Sequence, residues 1–340
     1  MSDGEQREGE ARETHRPGAG VRATVERVDA LPADETLRLS GEESVRQSRL
    51  KEGLGGDERG AVTRPRLSGP TVWDIAGQSH LGLIRQENED HFLAFRRENG
   101  AEVLATNLPV ELQRLRSSSV HVLAVADGLG GALGGVWASR LALTAARRRG
   151  NTQVSWLVDL ATHEAAQFAH LFTESVQELH ENLLREAQIN TKLSGMGTTL
   201  TVACAWGTQL FLGHVGDSRV YLVRRGELQQ LTTDHTLAED LIRSGAPAVA
   251  VERVRNVLTN SLGGTEGAVR AELREVSLEA GDQLLLCTDG LSDVVTSAEM
   301  LATLTTAATA ADACSQLVER ALARGGRDNI TSVVARLPCG

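Results

Sequence analysis

Two apolar runs stand out along the chain because each ends at the same pair of residues. His121-Val-Leu-Ala-Val-Ala runs into Asp127-Gly128, and Gln283-Leu-Leu-Leu-Cys-Thr runs into Asp289-Gly290. Runs of this length bounded by turn formers predict buried strands. Between them, Thr199–Ala205, Leu210–Val215 and Arg219–Val223 predict three more strands, with Arg225-Gly226-Glu227 as a turn before Leu228, the pattern of an antiparallel meander. A further strand-like run starts at Thr71-Val-Trp-Asp-Ile, past Pro65 and Pro70. Elsewhere the apolar positions return at helical spacing: over Val136–Arg148, over Trp156–Glu186, where Leu157, Leu160, Phe168 and Phe172 share a face, and over Ala311–Leu322, closed by Gly325-Gly326. Strands cluster apart from helices, which predicts an α+β fold of layers with antiparallel sheets. No repeat of fixed period is present.

Residues 1–70 alternate acidic and basic side chains with Gly, Ser, Thr and Pro, and carry only scattered aliphatics such as Val25, Val28 and Leu31. Such a segment buries too little apolar surface to offset its ordering entropy, so it is expected to be a disordered extension before a globular domain over 71–338. A weak helical face over 35–52 is its one feature. With 340 residues, 41% hydrophobic and 24% charged, the chain as a whole is globular in composition. A net charge of −10 and only 3% aromatic residues argue against a nucleic-acid surface and leave room for cations. No window approaches the ~18 apolar residues of a membrane span, and the start of the chain lacks an apolar signal stretch. A cytoplasmic monomer without a membrane partner is expected. Cys204, Cys287, Cys314 and Cys339 lie far apart without a CxxC pair, and read as core residues and a tail thiol.

The polar ends of the strands carry the candidate chemistry. Asp127 and Asp289 each place a carboxylate at a strand end, although a single Asp-Gly is most simply a turn. Three other clusters have the same character: Asn88-Glu89-Asp90, Gly216-Asp217-Ser218-Arg219 and Arg327-Asp328-Asn329. If several of these carboxylates converge, repulsion of about 4 kcal/mol per pair at ~4 Å requires cations among them. Oxygen donors alone favour Mg²⁺ or Mn²⁺ over zinc.

In order along the chain, Gly82-Leu-Ile-Arg85-Gln-Glu-Asn88-Glu89-Asp90, Asp127-Gly128-Leu129-Gly130-Gly131, Gly197-Thr198-Thr199, Gly213-His-Val-Gly216-Asp217-Ser218-Arg219, Thr288-Asp289-Gly290-Leu291-Ser292-Asp293 and Asp328-Asn329-Ile330-Thr331 resemble the successive motifs of the metal-dependent protein phosphatase 2C family, in particular its bacterial members. The resemblance covers residues 75–337. It implies a four-layer α-β-β-α sandwich, two central antiparallel sheets flanked by helices, with a two-metal Mg²⁺ or Mn²⁺ site at one edge. It assigns Asp127 as the bridge between the metals, Asp289 and Asp328 to the first site, the carbonyl of Gly128 to the second, and Glu89 and Asp90 to the second through bound water. Asp217 matches the carboxylate that holds a third, weaker metal, and Arg85 matches the arginine that grips the phosphate. The implied reaction is hydrolysis of phosphoserine and phosphothreonine in proteins by a metal-held water, reversing the work of a Ser/Thr kinase, which is itself an expected partner. The chain departs from the family pattern at Leu129, where some members carry a His, and at Ala246-Pro247-Ala248-Val249-Ala250-Val251-Glu252, where a longer acidic stretch is usual. The family's usual His ahead of Arg255-Asn256 is also missing, and Asn260 stands where an Arg is common.

Two other readings stay open at this point. One is a catalytically silent module of the same fold that docks to a kinase; the other is a phosphatase for small metabolites. Cys314 and Arg320 have the C-x₅-R spacing of cysteine-dependent phosphatases, but they sit in an amphipathic helix pattern without the glycine loop. His91, His214 and His235 read as core or turn histidines, and Trp137, Trp156 and Trp206 as core packing.

Overall fold

The computed structural model describes Arg22–Ala23 and residues 73–99, 118–130, 133–144, 164–264 and 267–339. The chain divides into one unit, Met1–Val25 with Val72–Gly340, and a second, Glu26–Thr71. The second unit, with the helix predicted over 35–52, lies outside the described residues, as do Trp156 and the first turns of the helix predicted from it.

Strand β1 (Arg22–Ala23) pairs with the edge of β2 (Asp74–His80). The apolar runs then build two sheets. One has the order β1-β2-β14-β13-β9-β10, with β9 (Arg219–Arg224), β10 (Glu227–Gln230), β13 (Gln283–Cys287) and β14 (Ile330–Arg336). The other has the order β12-β8-β7-β4-β3, with β3 (His91–Asn99), β4 (Ser118–Ala126), β7 (Leu200–Trp206), β8 (Gln209–Val215) and β12 (Glu272–Ser277). Neighbouring strands in both sheets are antiparallel. Three two-residue strands, β5 (Gly128–Leu129), β6 (Gly197–Thr198) and β11 (Leu262–Gly263), form a small third sheet.

The strands read as unbroken apolar runs because both of their faces are covered. Along β4, Leu123 and Val125 face Leu284, Leu286 and Val333 of the opposite sheet. The alternate residues Val122, Ala124 and Ala126 pack instead under helices α1 (133–144) and α2 (Glu164–Ile189), against Ala138, Val176 and Leu183. In the same way Leu285 and Cys287 of β13 turn outward to α5 (Asp289–Ser292), α6 (Ser297–Thr306) and α7 (Ala310–Ala323). The result is a four-layer α-β-β-α sandwich with two central antiparallel sheets, an α+β fold. Thr309 caps α7 by accepting the N–H of Asp312, and Gly325-Gly326 follows its end. Cys314 points from α7 into the core, where burial pushes its thiol up to about 11, so the C-x₅-R spacing carries no reactive thiolate.

Two expectations need correction. The three strands from Thr199 to Val223 do not form one meander: β7 and β8 pair, but β9 leaves for the other sheet and pairs with β10 and β13. The departure occurs at Gly216, whose φ of +114° is open to glycine and whose missing side chain makes room for Thr199, 2.5 Å from where a Cβ would lie. Trp137 is not core packing. It is 40% exposed on the outer face of α1, one turn from the exposed Leu133, while Ala138 and Ala142 take the inner face. Trp206 does pack, partly buried, against the helix-covered face of the second sheet.

The inter-sheet core includes Leu123, Leu284 and Leu286, all essentially without exposed surface. Leu286→Ala, at a position with no exposed surface, should cost about 2–5 kcal/mol in urea unfolding. Leu241→Ala on the exposed face of α3 (Leu237–Arg243) should stay within about 0.5 kcal/mol.

Candidate active site

Strand ends bring the acidic residues together at one edge of the sandwich. Glu89 and Asp90 close the loop between β2 and β3, and Asp127 lies between β4 and β5. Asp217 lies in the crossover from β8 to β9, Asp289 opens α5 directly after β13, and Asp328 precedes β14. Their proximity is visible in the hydrogen bonds. Thr288 and Thr331 both donate to Asp90 Oδ2 at 2.7 Å, and the N–H of Glu89 donates to Asn329 Oδ1 at 2.9 Å. Asn329 also donates from Nδ2 to the carbonyls of Leu81 and Glu87, so one side chain pins both arms of the loop that carries Arg85.

Gly128 and Glu89 meet through α1. A methyl group on Gly135 would lie 2.7 Å from Glu89 Oε1 and 2.8 Å from the carbonyl carbon of Gly128, so only glycine allows the three to pack. Ser139, one turn on, donates to the Glu89 carbonyl at 2.6 Å. Asp127 is held by its backbone: its N–H donates to Thr199 Oγ1 at 2.9 Å, and its carbonyl accepts from Thr198 Oγ1 at 2.8 Å. Thr199 Oγ1 is 2.9 Å from Ser218 Oγ, which ties the Asp127 strand end to the Asp217 crossover.

Arg85 sits at the rim, its side chain 47% exposed, and donates to Asp328 Oδ2 at 2.6 Å. Beyond Asp217 and Asp289 lies a cavity of about 320 Å³, walled also by Glu239, Glu252, Arg255 and Asp293. The shortened stretch after Gly245 forms α4 (Ala248–Val251) and a 3₁₀ turn. It is fastened down where Arg255 pairs with Asp293 at 3.2 Å and Asn256 donates to the same carboxylate at 3.2 Å.

The cluster is electrostatically unsatisfied. Burial, and after it Asp90, Asp289, Asp217 and Asp328, hold the Asp127 carboxyl well above its ordinary range. Burial pushes Asp90 up to about 7 against the opposing hydrogen bonds of Thr331 and Thr288, and burial with Asp328 pushes Asp289 up to about 6. Asp217 is raised by burial and by Asp289, and Glu89 by burial. Glu89 Oε1, Asp90 Oδ1 and Asp289 Oδ1 are buried with no hydrogen-bond donor. Buried, partnerless, mutually repelling oxygens are the ligand set of a hard divalent cation, so the residues present fit a metal centre of Mg²⁺ or Mn²⁺ type.

A second group, His214, His235 and Glu272, has donor atoms within 4.8 Å of one another. Its atoms are already engaged. The His214 ring lies 2.8 Å from Thr201 Oγ1 and 3.2 Å from the Thr233 carbonyl, His235 Nδ1 accepts the Gly216 N–H at 3.0 Å, and Glu272 accepts the Thr233 N–H at 2.9 Å. These histidines hold the β8 crossover to the segment after β10. His91, 2.9 Å from Ser139 Oγ, is likewise structural.

Sequence reasoning did not single out Thr288, Thr331, Ser139, Gly135 or Asn329 as parts of the site. Thr288, Asn329 and Thr331 lie inside the motifs of the family resemblance, next to or near a candidate carboxylate, but were given no role of their own.

The fold and the acidic centre define a metal-dependent phosphatase. The chain matches the family described as protein phosphatase 2C over residues 94–330, and it belongs to that family of serine/threonine phosphatases. It is 32% identical over 253 residues to the serine/threonine phosphatase stp of Listeria monocytogenes, covering 74% of this chain and 90% of that one. It is 35% identical over 267 residues to the serine/threonine protein phosphatase PstP of Mycobacterium tuberculosis, covering 78% of this chain and 45% of that longer one. Among solved structures, the serine/threonine phosphatase of S. agalactiae superposes with a TM-score of 0.64 at 28% identity, over 78% of this chain and all of that one. The catalytic domain of PstP in complex with 2 manganese ions gives 0.58 at 32% identity, over 78% of this chain and 98% of that one. Among the described residues no helix is long and apolar enough to cross a membrane.

The raised carboxyls make a sign-specific prediction. Asp90 and Asp289 move from an ordinary 3.8 to about 7 and about 6 on folding, so between these values the native chain binds more protons than the unfolded one. In chelator, melting temperature should therefore fall as pH rises from 5 to 8. Added Mn²⁺ should raise it more at pH 8 than at pH 5, as read by scanning calorimetry.

Proposed function

We propose that the acidic cluster holds two divalent cations, Mg²⁺ or Mn²⁺, and that the protein hydrolyses phosphoserine and phosphothreonine esters there. In this reading Asp127 would serve both ions, Asp289 and Asp328 would help hold the first, and the Gly128 carbonyl, with Glu89 and Asp90, would help hold the second. Asp217 offers a place for a third ion. The observation that carries the reading is the set of buried oxygens without donors on Glu89, Asp90 and Asp289. The two manganese ions in the PstP catalytic domain support it.

Bound cations of this kind supply an activated water and neutralise phosphoryl charge. The chain's own contribution is placement. Arg85 stands at the solvent edge of the cluster on a loop pinned by Asn329. Its planar fork pairs two phosphoryl oxygens once it turns from Asp328 to substrate. Leu129, at the position after Asp127-Gly128, has no ionisable proton to give, so the leaving serine or threonine oxygen takes its proton from water or from another group. The catalytic unit spans residues 71–338 and works on phosphorylated proteins to reverse the action of a Ser/Thr kinase in the cytoplasm.

Hydrolysis of p-nitrophenyl phosphate and of a phosphothreonine peptide, with Mn²⁺ and with chelator, tests the reading. Turnover should require the metal, and Asp127→Asn should lower it by at least about 100-fold while raising the melting temperature in chelator, because one repelling charge is gone. Wild-type protein without metal-stimulated turnover would leave a binding module of the same fold. Arg85→Ala should raise KM for the peptide far more than it weakens Mn²⁺ binding measured by calorimetry.

A further inference from the structure

Asp90 is fastened from one side only, by hydroxyl groups that stand in a row across three adjacent strands. Ser79 lies directly opposite Thr331 in the β2–β14 pairing, and Thr288 follows β13, the strand on the other side of β14. Sheet geometry therefore sets the row, and its hydrogen bonds have one consistent direction. The N–H of Thr331 donates to Thr288 Oγ1 at 3.1 Å, which leaves the Thr288 hydroxyl proton for Asp90 Oδ2. The Thr331 hydroxyl also donates to Oδ2, so in its 2.8 Å contact with Ser79 it accepts and Ser79 donates. Ser79 Oγ accepts from Asn88 Nδ2 at 2.9 Å, and Asn88 Oδ1 accepts the N–H of Asp90 at 3.2 Å. The series thus closes on the residue where it began. Asp90 Oδ2 ends with two O–H donors, while Oδ1, buried, has none.

We propose that Thr288, Thr331 and Ser79 are positioning residues that clamp one oxygen of Asp90 so that the other alone faces the cation centre. The proposal rests on the metal reading above, and concerns how the chain prepares a ligand before the ion arrives. Partners of this kind typically govern 10–100-fold in metal affinity. Without the row, Asp90 is free to rotate and to turn either oxygen toward Thr288 or toward the cluster.

Calorimetric titration of the full chain with Mn²⁺ tests it, beside Thr331→Val, Thr288→Val, Thr331→Ser and Ser79→Ala, each also melted in chelator. Either valine variant keeps the shape and loses the donor, and should weaken Mn²⁺ binding by about 10-fold or more. Thr331→Ser should restore affinity to within about 3-fold of wild type, and Ser79→Ala, which leaves both donors to Oδ2, should fall between. Should a valine variant fail to fold, the serine and Ser79→Ala comparison still decides, because a purely structural role lowers melting without moving affinity. Valine variants that bind Mn²⁺ as tightly as wild type, or a serine variant as weak as valine, overturn the proposal alone. A wild-type chain that binds no Mn²⁺ overturns the metal reading and this proposal together.

Discussion

Carboxylates pressed together with little water between them repel, and the architecture around Asp127 is built to hold them in place against that repulsion. Asp90, Asp217, Asp289 and Asp328 all raise the Asp127 carboxyl. At about 4 kcal/mol per close pair, two or three such contacts rival the whole net stability of a domain. The opposing forces are spread through the fold. Asn329 anchors Glu89, and hydroxyl groups anchor Asp90 and Asp127, while Arg85 supplies positive charge beside Asp328. What remains unmet is the demand of three buried oxygens for a partner, which the proposed divalent cations would meet.

The sandwich is suited to this task because its strands are rigid on both faces. Inter-sheet packing fixes Leu123, Leu284 and Leu286, and helix packing fixes their alternate neighbours. Strand ends emerging from such a core cannot shift apart singly, so acids borne on β4, β13 and β14 keep their spacing. The β8 to β9 crossover adds Asp217 from between the sheets, and the contacts of His214, His235 and Thr199 hold that crossover down. The substrate-facing surface is built differently. Arg85 is on a loop, and the segment that follows α4 is tied to Asp293 by Arg255 and Asn256, while Val249 on α4 itself is 92% exposed.

Much of the site was legible because its chemistry is local. Asp127-Gly128 and Asp289-Gly290 stand at the ends of apolar runs, and the order of the motifs from Arg85 to Thr331 pointed to one family. The layers were legible too, from the period of the apolar residues on α7 and the unbroken runs of β4 and β13. What could not be read were relations between distant segments. Nothing near Val215 in the sequence says that the next strand will join the other sheet, and nothing near Ser79 says that it will oppose Thr331. Trp137 was misread because its hydrophobicity suggested the core, whereas the small residues Ala138 and Ala142 made the closer helix contact.

The sequence by itself determined strands β4, β7, β8, β9 and β13 and helix α7, where the chain turns after them, and which side chains carry charge, since these depend on neighbours a few residues away. Only the tertiary structure decided which oxygen of Asp90 is clamped and which is left bare, that His214 and His235 are spent on holding a crossover, and that Arg85 lies against Asp328. Those outcomes depend on contacts between residues up to about 250 positions apart, as for Ser79 and Thr331, and such contacts are fixed by sheet register and core packing, not by local pattern.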